Sequence, residues 1–151
     1  NVSVSGNIWM GSAPAPDDLD LAARRGIERV IDLRSSAERE VAGRATEEFV
    51  AACQELGLEL LEVEVPEDLS ATRNSTVDEV VSLLADHESR TLLLCRDGRR
   101  SAVFFALHRI VNEDVSVEDA LIEARRCGMA PGEDEAFLLR QSQRLGPRSD
   151  S

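Results

Sequence analysis

Apolar residues recur along the chain in two patterns, short uninterrupted runs and helical stripes, and the two alternate. Asn7 to Gly11 predicts a short strand, followed by a turn over Ser12-Ala13-Pro14-Ala15-Pro16. Pro16 suits the first turn of a helix, which continues over Asp17 to Arg25 with acids at its start and Arg24 and Arg25 at its end. Gly26 closes it. Arg29 to Leu33, with Val30-Ile31 at its centre, reads as a buried strand, and Arg34 to Gly43 as a charged loop. Thr46 to Leu56 places Phe49, Val50, Cys53 and Leu56 on one helical side, and Gly57 stops it. Leu58 to Val65 alternates apolar with acidic residues, as a strand does, and Pro66 to Asn74 reads as a polar loop. Ser75 and Asp78 resemble a capping box opening a helix over Thr76 to Asp86. Thr91 to Cys95 is a short apolar strand. Three helices follow: Ser101 to Asn112, one opened by Ser116 and Asp119 and ending at Gly128, and Asp134 to Leu145.

Strands alternating with helices predict a three-layer α/β domain with a mostly parallel central sheet flanked by helices. No repeat or long linker divides the 151 residues, so one domain over 1–151 is expected. Parallel sheets bind ligands at the carboxyl ends of their strands. Cys95 sits at such an end, just before a helix.

Composition narrows the function classes. Aromatics make up 3% of the chain, so the core must be built from Leu, Val, Ile and Ala. The formal net charge of -12 argues against a nucleic-acid or anionic-membrane partner. No apolar run could span a bilayer, and no signal-like segment opens the sequence, which favours a cytoplasmic chain. The start at Asn1 leaves an upstream segment open. Cys53, Cys95 and Cys127 suggest no disulfide framework, and no cysteines or histidines stand at metal-ligand spacing, so neither metal nor cofactor is expected. All cationic side chains are Arg, and Arg96, Arg99 and Arg100 cluster in an otherwise acidic sequence. A local positive pocket on a negative molecule selects a small anion.

The segment Cys95-Arg96-Asp97-Gly98-Arg99-Arg100-Ser101 carries the candidate chemistry. It joins a buried strand to a helix start, where unpaired amides and the helix dipole favour an anion. Gly98 frees the backbone to turn successive amides inward. Arg100 can hold two oxygens of a phosphate-like group on its planar fork. The same field favours the Cys95 thiolate, the nucleophilic form. Ser101 could donate its hydroxyl to that sulfur. Arg96, Asp97, Gly98, Arg99 and Ser101 are therefore candidate substrate-binding residues around Cys95 and Arg100.

Cys-x4-Arg-Ser after a strand resembles the protein-tyrosine/dual-specificity phosphatase superfamily, and most closely the bacterial phosphatase-like domain of beta-lactamase-hydrolase-like proteins. The opening is similar as well: Ile8-Trp9-Met10-Gly11-Ser12-Ala13-Pro14, then Gly26-Ile27-Glu28-Arg29-Val30-Ile31-Asp32-Leu33-Arg34. The resemblance spans about residues 7–125. It implies a dual-specificity-phosphatase-like fold and hydrolysis of a phosphorylated substrate through a phosphocysteine on Cys95. It also implies a general acid on the loop Pro66-Glu67-Asp68-Leu69-Ser70, with Asp68 first and Glu67 second. Two departures stand out. Four residues separate Cys95 from Arg100 where standard members have five, and Leu94 occupies the position of their His.

Rhodanese-type sulfurtransferases also use a Cys-led loop of this shorter length, and Ile31-Asp32-Leu33-Arg34 faintly resembles their Ile-Asp-x-Arg segment. A persulfide carrier is thus a second reading, and a non-catalytic anion-binding module a third. Elsewhere plainer roles are expected. His108 packs, His87 follows a helix end, Cys127 sits at a helix terminus and Cys53 belongs to the core. Arg73 is a loop residue, and Arg34 could pair with Glu38 or Glu40 to brace the site.

Overall fold

A computed structural model describes residues 2–86 and 88–146. His87 lies outside the described residues. The chain opens with β1 (Val2–Ser5) and β2 (Ile8–Ser12), which pair antiparallel. Then follow α1 (Pro16–Arg24), β3 (Arg29–Asp32), α2 (Ser36–Ala42), α3 (Arg44–Glu55), β4 (Glu59–Glu62), a 3-10 turn (Leu69–Ala71) and α4 (Asn74–Leu84). The second half holds β5 (Thr91–Cys95), α5 (Arg99–Glu113), α6 (Val117–Arg126) and α7 (Glu133–Leu145). The sheet order is β1-β2-β5-β3-β4, parallel throughout except for β1 at the edge. The expected mostly parallel α/β sheet is therefore present.

β5 lies at the centre, flanked by β2 and β3 with Thr91 opposite both Ile8 and Arg29. All five of its residues are buried, as its continuous apolar run requires. Side chains alternate across the sheet. Leu92 and Leu94 pack with Leu19 of α1 and with Phe49 and Cys53 of α3. Leu93 and Cys95 join the larger core, which includes Phe104 and Leu107 of α5 and Phe137 of α7. Each fully buried Leu is worth about 1.5–3 kcal/mol. Burying both faces of β5 thus fixes its register, and with it the point where the strand delivers Cys95.

Several elements differ from the sequence reading, each for a physical reason. The expected loop 34–43 contains α2, a helix with no buried residue. It has no apolar stripe to betray it, and a capping box holds it instead. The expected Ser75–Asp78 cap is absent: α4 starts at Asn74, with Arg73 at the cap position and no side-chain cap bond. β4 is shorter than the alternation suggested, yet the Val63 and Val65 amides still donate to the Asp32 and Leu33 carbonyls. Those bonds carry the chain in extended form up to Pro66, beside the end of β5. Among the described residues no helix is long and apolar enough to cross a membrane.

Candidate active site

The loop after β5 turns inward around the Cys95 sulfur. Gly98 has φ +89°, the left-handed region open to glycine, and it caps α5. This turn directs the Gly98 amide at Cys95 Sγ, 3.1 Å away, and the Ser101 amide at 3.4 Å. Both N–H groups belong to the start of α5, where helical partners are lacking. A Cβ on Gly98 would lie 3.6 Å from the Gly11 carbonyl carbon, so the end of β2 forms one wall. The Ser101 hydroxyl donates to the Gly11 carbonyl at 3.2 Å. Ser101 therefore serves the sulfur through its amide rather than its side chain. Asp97 Oδ1 accepts from the Arg99 amide at 3.1 Å and stands 3.9 Å from Cys95 Sγ.

Arg100 is 1% exposed and is the centre of the site. Its two terminal nitrogens donate to Glu38 at 2.7 and 2.6 Å, and Nη1 also donates to the Val65 carbonyl at 2.8 Å. Its Nε is buried and has no partner. Burial works against the guanidinium charge, but Glu38, then Cys95 and Asp97, push its pKa up. Glu38 reaches Arg100 because the capping box places it: its amide donates to Ser35 Oγ at 3.1 Å, and Oε1 accepts from the Ser35 amide at 2.9 Å. Burial raises the Glu38 pKa, but the Arg100 bonds and the Ser35 amide outweigh it and bring the carboxyl down from 4.5 to about 2. The bracing pair expected between Arg34 and Glu38 or Glu40 takes a different form. Arg34 pairs with the buried Asp32 at 2.8 Å and lies over the Phe49 ring, while Glu38 belongs to Arg100.

The other two loop arginines are engaged with carboxylates. Arg96 is exposed and meets Glu67 Oε1 at 2.7 Å, with Glu38 Oε2 at 3.7 Å. Arg99 meets Asp134 Oδ1 at 2.5 Å and donates to the Glu67 carbonyl at 2.7 Å. Asp134, at the start of α7, was not singled out from the sequence; only its place among the acids of a helix start was visible. Asp68 is exposed and caps the 3-10 turn, accepting from the Ser70 amide at 3.0 Å and the Ser70 hydroxyl at 2.6 Å. The Ser70 hydroxyl and amide, with Arg99 further off, hold the Asp68 carboxyl below its usual range. Arg73 is exposed at the start of α4. A cleft of about 520 Å³ opens beside the loop, between Ala37, Val41 and Ala42 of α2 and Pro66-Glu67, with Arg96 at its edge.

The remaining candidates have structural surroundings. Leu94, at the position of the superfamily's His, is fully buried against α1 and α3. Cys53 is 1% exposed, and burial pushes its thiol up to about 11. His108 is buried with Nδ1 2.9 Å from the Asn112 amide nitrogen, and Cys127 caps the end of α6.

No family profile and no curated protein matches the chain by sequence. Solved structures do match. Kinase associated phosphatase, in a form with its catalytic-site cysteine changed to serine, superposes with a TM-score of 0.79 at 14% identity, over 96% of this chain and 95% of that one. Tk-PTP gives 0.75 at 20% identity over 96% of both chains. The core catalytic domain of the PP-IP phosphatase SIW14 from S. cerevisiae gives 0.74 at 16%, over 95% of this chain and 91% of that one. At these identities the likeness concerns architecture, and the chain has the protein-tyrosine/dual-specificity phosphatase-like fold.

Proposed function

We propose that the protein is a cysteine-dependent phosphatase acting on phosphate monoesters. The observation that carries this reading is the convergence of the Gly98 and Ser101 amides on Cys95 Sγ, beside a buried Arg100 whose Nε is unpartnered. Cys95 Sγ attacks phosphorus, the S–P bond forms and the ester P–O bond breaks. Asp68 gives its proton to the leaving oxygen, and because Ser70 holds its carboxyl below the usual range this step runs best toward acid pH. The Gly98 and Ser101 amides stabilise the sulfur as an anion, and the unpartnered Nε of Arg100 stabilises an oxygen of the transferring group. Water then attacks phosphorus and gives a proton to Asp68, the S–P bond breaks with its electron pair returning to Cys95 Sγ, and phosphate leaves. Glu38 contributes by fixing the guanidinium plane, so that its free Nε edge needs no reorientation.

The fold supports this reading over sulfur transfer, because the superposed structures are phosphatases by name. The charge balance supports a substrate with one phosphoryl group. Arg96 and Arg99 each have a carboxylate partner, so neither of these two loop cations is free to hold a second phosphate. The cleft beside α2 has room for the rest of the substrate.

Hydrolysis of a generic aryl phosphate tests the proposal. Cys95→Ser should abolish turnover, and Arg100→Ala should lower kcat roughly 10²–10³-fold. A thermal melt of each variant separates lost chemistry from lost folding. Turnover by either variant equal to the parent's would refute the mechanism.

A further inference from the structure

Arg99 and Asp134 stand apart from the reacting atoms, yet they form a largely buried ion pair. The Arg99 side chain is 25% exposed and that of Asp134 is 4% exposed. A buried pair seldom stabilises a fold better than apolar packing would, so its geometry needs another account. Arg99 is the first residue of α5, next to Gly98, so its backbone moves with the Cys95 loop. One arm of its guanidinium meets Asp134, and the other donates to the Glu67 carbonyl at 2.7 Å. That carbonyl belongs to the peptide group joining Glu67 to Asp68. Asp134 cannot readily follow a moving arginine, because its second oxygen accepts from the Ala130 amide at 3.0 Å. Leu69, directly after Asp68, is 2% exposed and packs in the same core as Phe137 and Leu138 of α7. An apolar pair could bind α5 to α7, but only a forked donor can also hold a carbonyl oxygen on a third segment.

We infer that Arg99 and Asp134 form a latch that positions the Pro66–Asp68 segment beside the Cys95 loop, acting through Asp68 rather than on the substrate. The catalytic side of this inference rests on the phosphatase reading above. Arg99, expected from the sequence to touch substrate, is then a positioning residue. Arg96 adds a second tie to the same segment through the Glu67 carboxylate.

The test compares two substrates. An alkyl phosphate needs a proton on its leaving oxygen; an aryl phosphate with strongly electron-withdrawing substituents does not. Asp68→Asn sets the reference pattern, with a loss of roughly 10²-fold on the alkyl ester and little on the activated aryl ester. Asp134→Asn should reproduce that pattern, with a loss of at least about tenfold on the alkyl ester. It should add nothing further when combined with Asp68→Asn. Equal losses on both substrates, or full additivity in the double variant, would overturn the latch. If Asp134→Asn melts too low to assay, Arg99→Lys, which keeps the charge facing Asp134 without a second arm, takes its place with the same expectation. Amide hydrogen exchange over residues 69–71 reads the latch without turnover. It should rise at least about tenfold in Asp134→Asn, and unchanged exchange would overturn the inference. If the parent hydrolyses neither ester, the phosphatase reading falls while the exchange result still decides whether the latch exists.

Discussion

Replacing Glu38 by Gln removes one charge from the Glu38–Arg100 pair and leaves a nearly isosteric side chain. Gln can accept from one guanidinium nitrogen, but its amide end sets N–H against N–H at the other. Two routes give the size of the effect. Lowering the Glu38 carboxyl from 4.5 to about 2 in the folded protein corresponds to about 3 kcal/mol of stability at pH 7. Its side chain is 8% exposed, so solvent screens little of this. Independently, stripping one partner from a buried ion pair costs about 3–5 kcal/mol. The routes agree near about 3 kcal/mol, a large part of the usual 5–15 kcal/mol of a domain. For a chain of this size that is a fall in Tm of about 6–12 °C. The pH dependence is more diagnostic than the size. A depressed carboxylate pKa gives stability that is full above the unfolded value of 4.5 and lost as pH falls toward about 2. The difference between parent and Glu38→Gln should therefore shrink to roughly half by pH 3. Urea unfolding at pH 7, 5, 4 and 3 measures it. A difference that stays constant with pH, or falls below about 1 kcal/mol at pH 7, would refute the assignment of Glu38 as the charged partner of Arg100.

Two further outcomes follow from the site. Ser70→Ala removes the hydroxyl bond that favours ionised Asp68 and leaves the Ser70 amide in place, so the Asp68 pKa should rise part of the way toward the ordinary carboxyl range. The alkaline fall in kcat/KM for an alkyl phosphate should move to higher pH with it, and a limb that stays in place would exclude Asp68 as the acid. Gly98→Ala meets no hard clash, with its nearest contact at 3.6 Å, but it forces a side chain onto φ +89°. A cost of about 1–2 kcal/mol is expected, with relaxation of the loop and at least about tenfold weaker phosphate binding by calorimetry. Unchanged phosphate affinity would show that inward amides are not the anion site.

The anion loop was legible because its signals are local. A buried run ending in Cys95, Gly98 before a helix and Arg100 in its first turn lie within six residues, and short-range geometry fixes them. The sheet was legible for the same reason, since β5 carries Leu92-Leu93-Leu94 and β3 the pair Val30-Ile31. What escaped depends on contacts far apart in sequence. Glu38 lies 62 positions from Arg100, and Asp134 lies 35 from Arg99. No periodicity links them, and in a chain with 29 acidic residues the choice of partner is not written locally. α2 escaped because it buries no apolar residue, although Ser35 and Glu38 stand at capping-box spacing. β1 escaped because it lies on the edge, before the first run that was read as a strand.

The two residues proposed to handle the phosphoryl group and the proton differ sharply in what their loss does to the rest of the molecule. Arg100 is enclosed and joins α5, α2 and the segment after β4; Asp68 is exposed, and its side chain bonds to Ser70. Inactivation during evolution is therefore not symmetric. A descendant that abandoned catalysis could shed Asp68 without disturbing its core, whereas shedding Arg100 would strand Glu38 and select against the chain itself. Lineages of this architecture that drift into non-enzymatic roles should keep the arginine and the carboxylate that grips it long after the acid has gone. An intact cysteine–arginine loop is then a record of folding history as much as a sign of living chemistry.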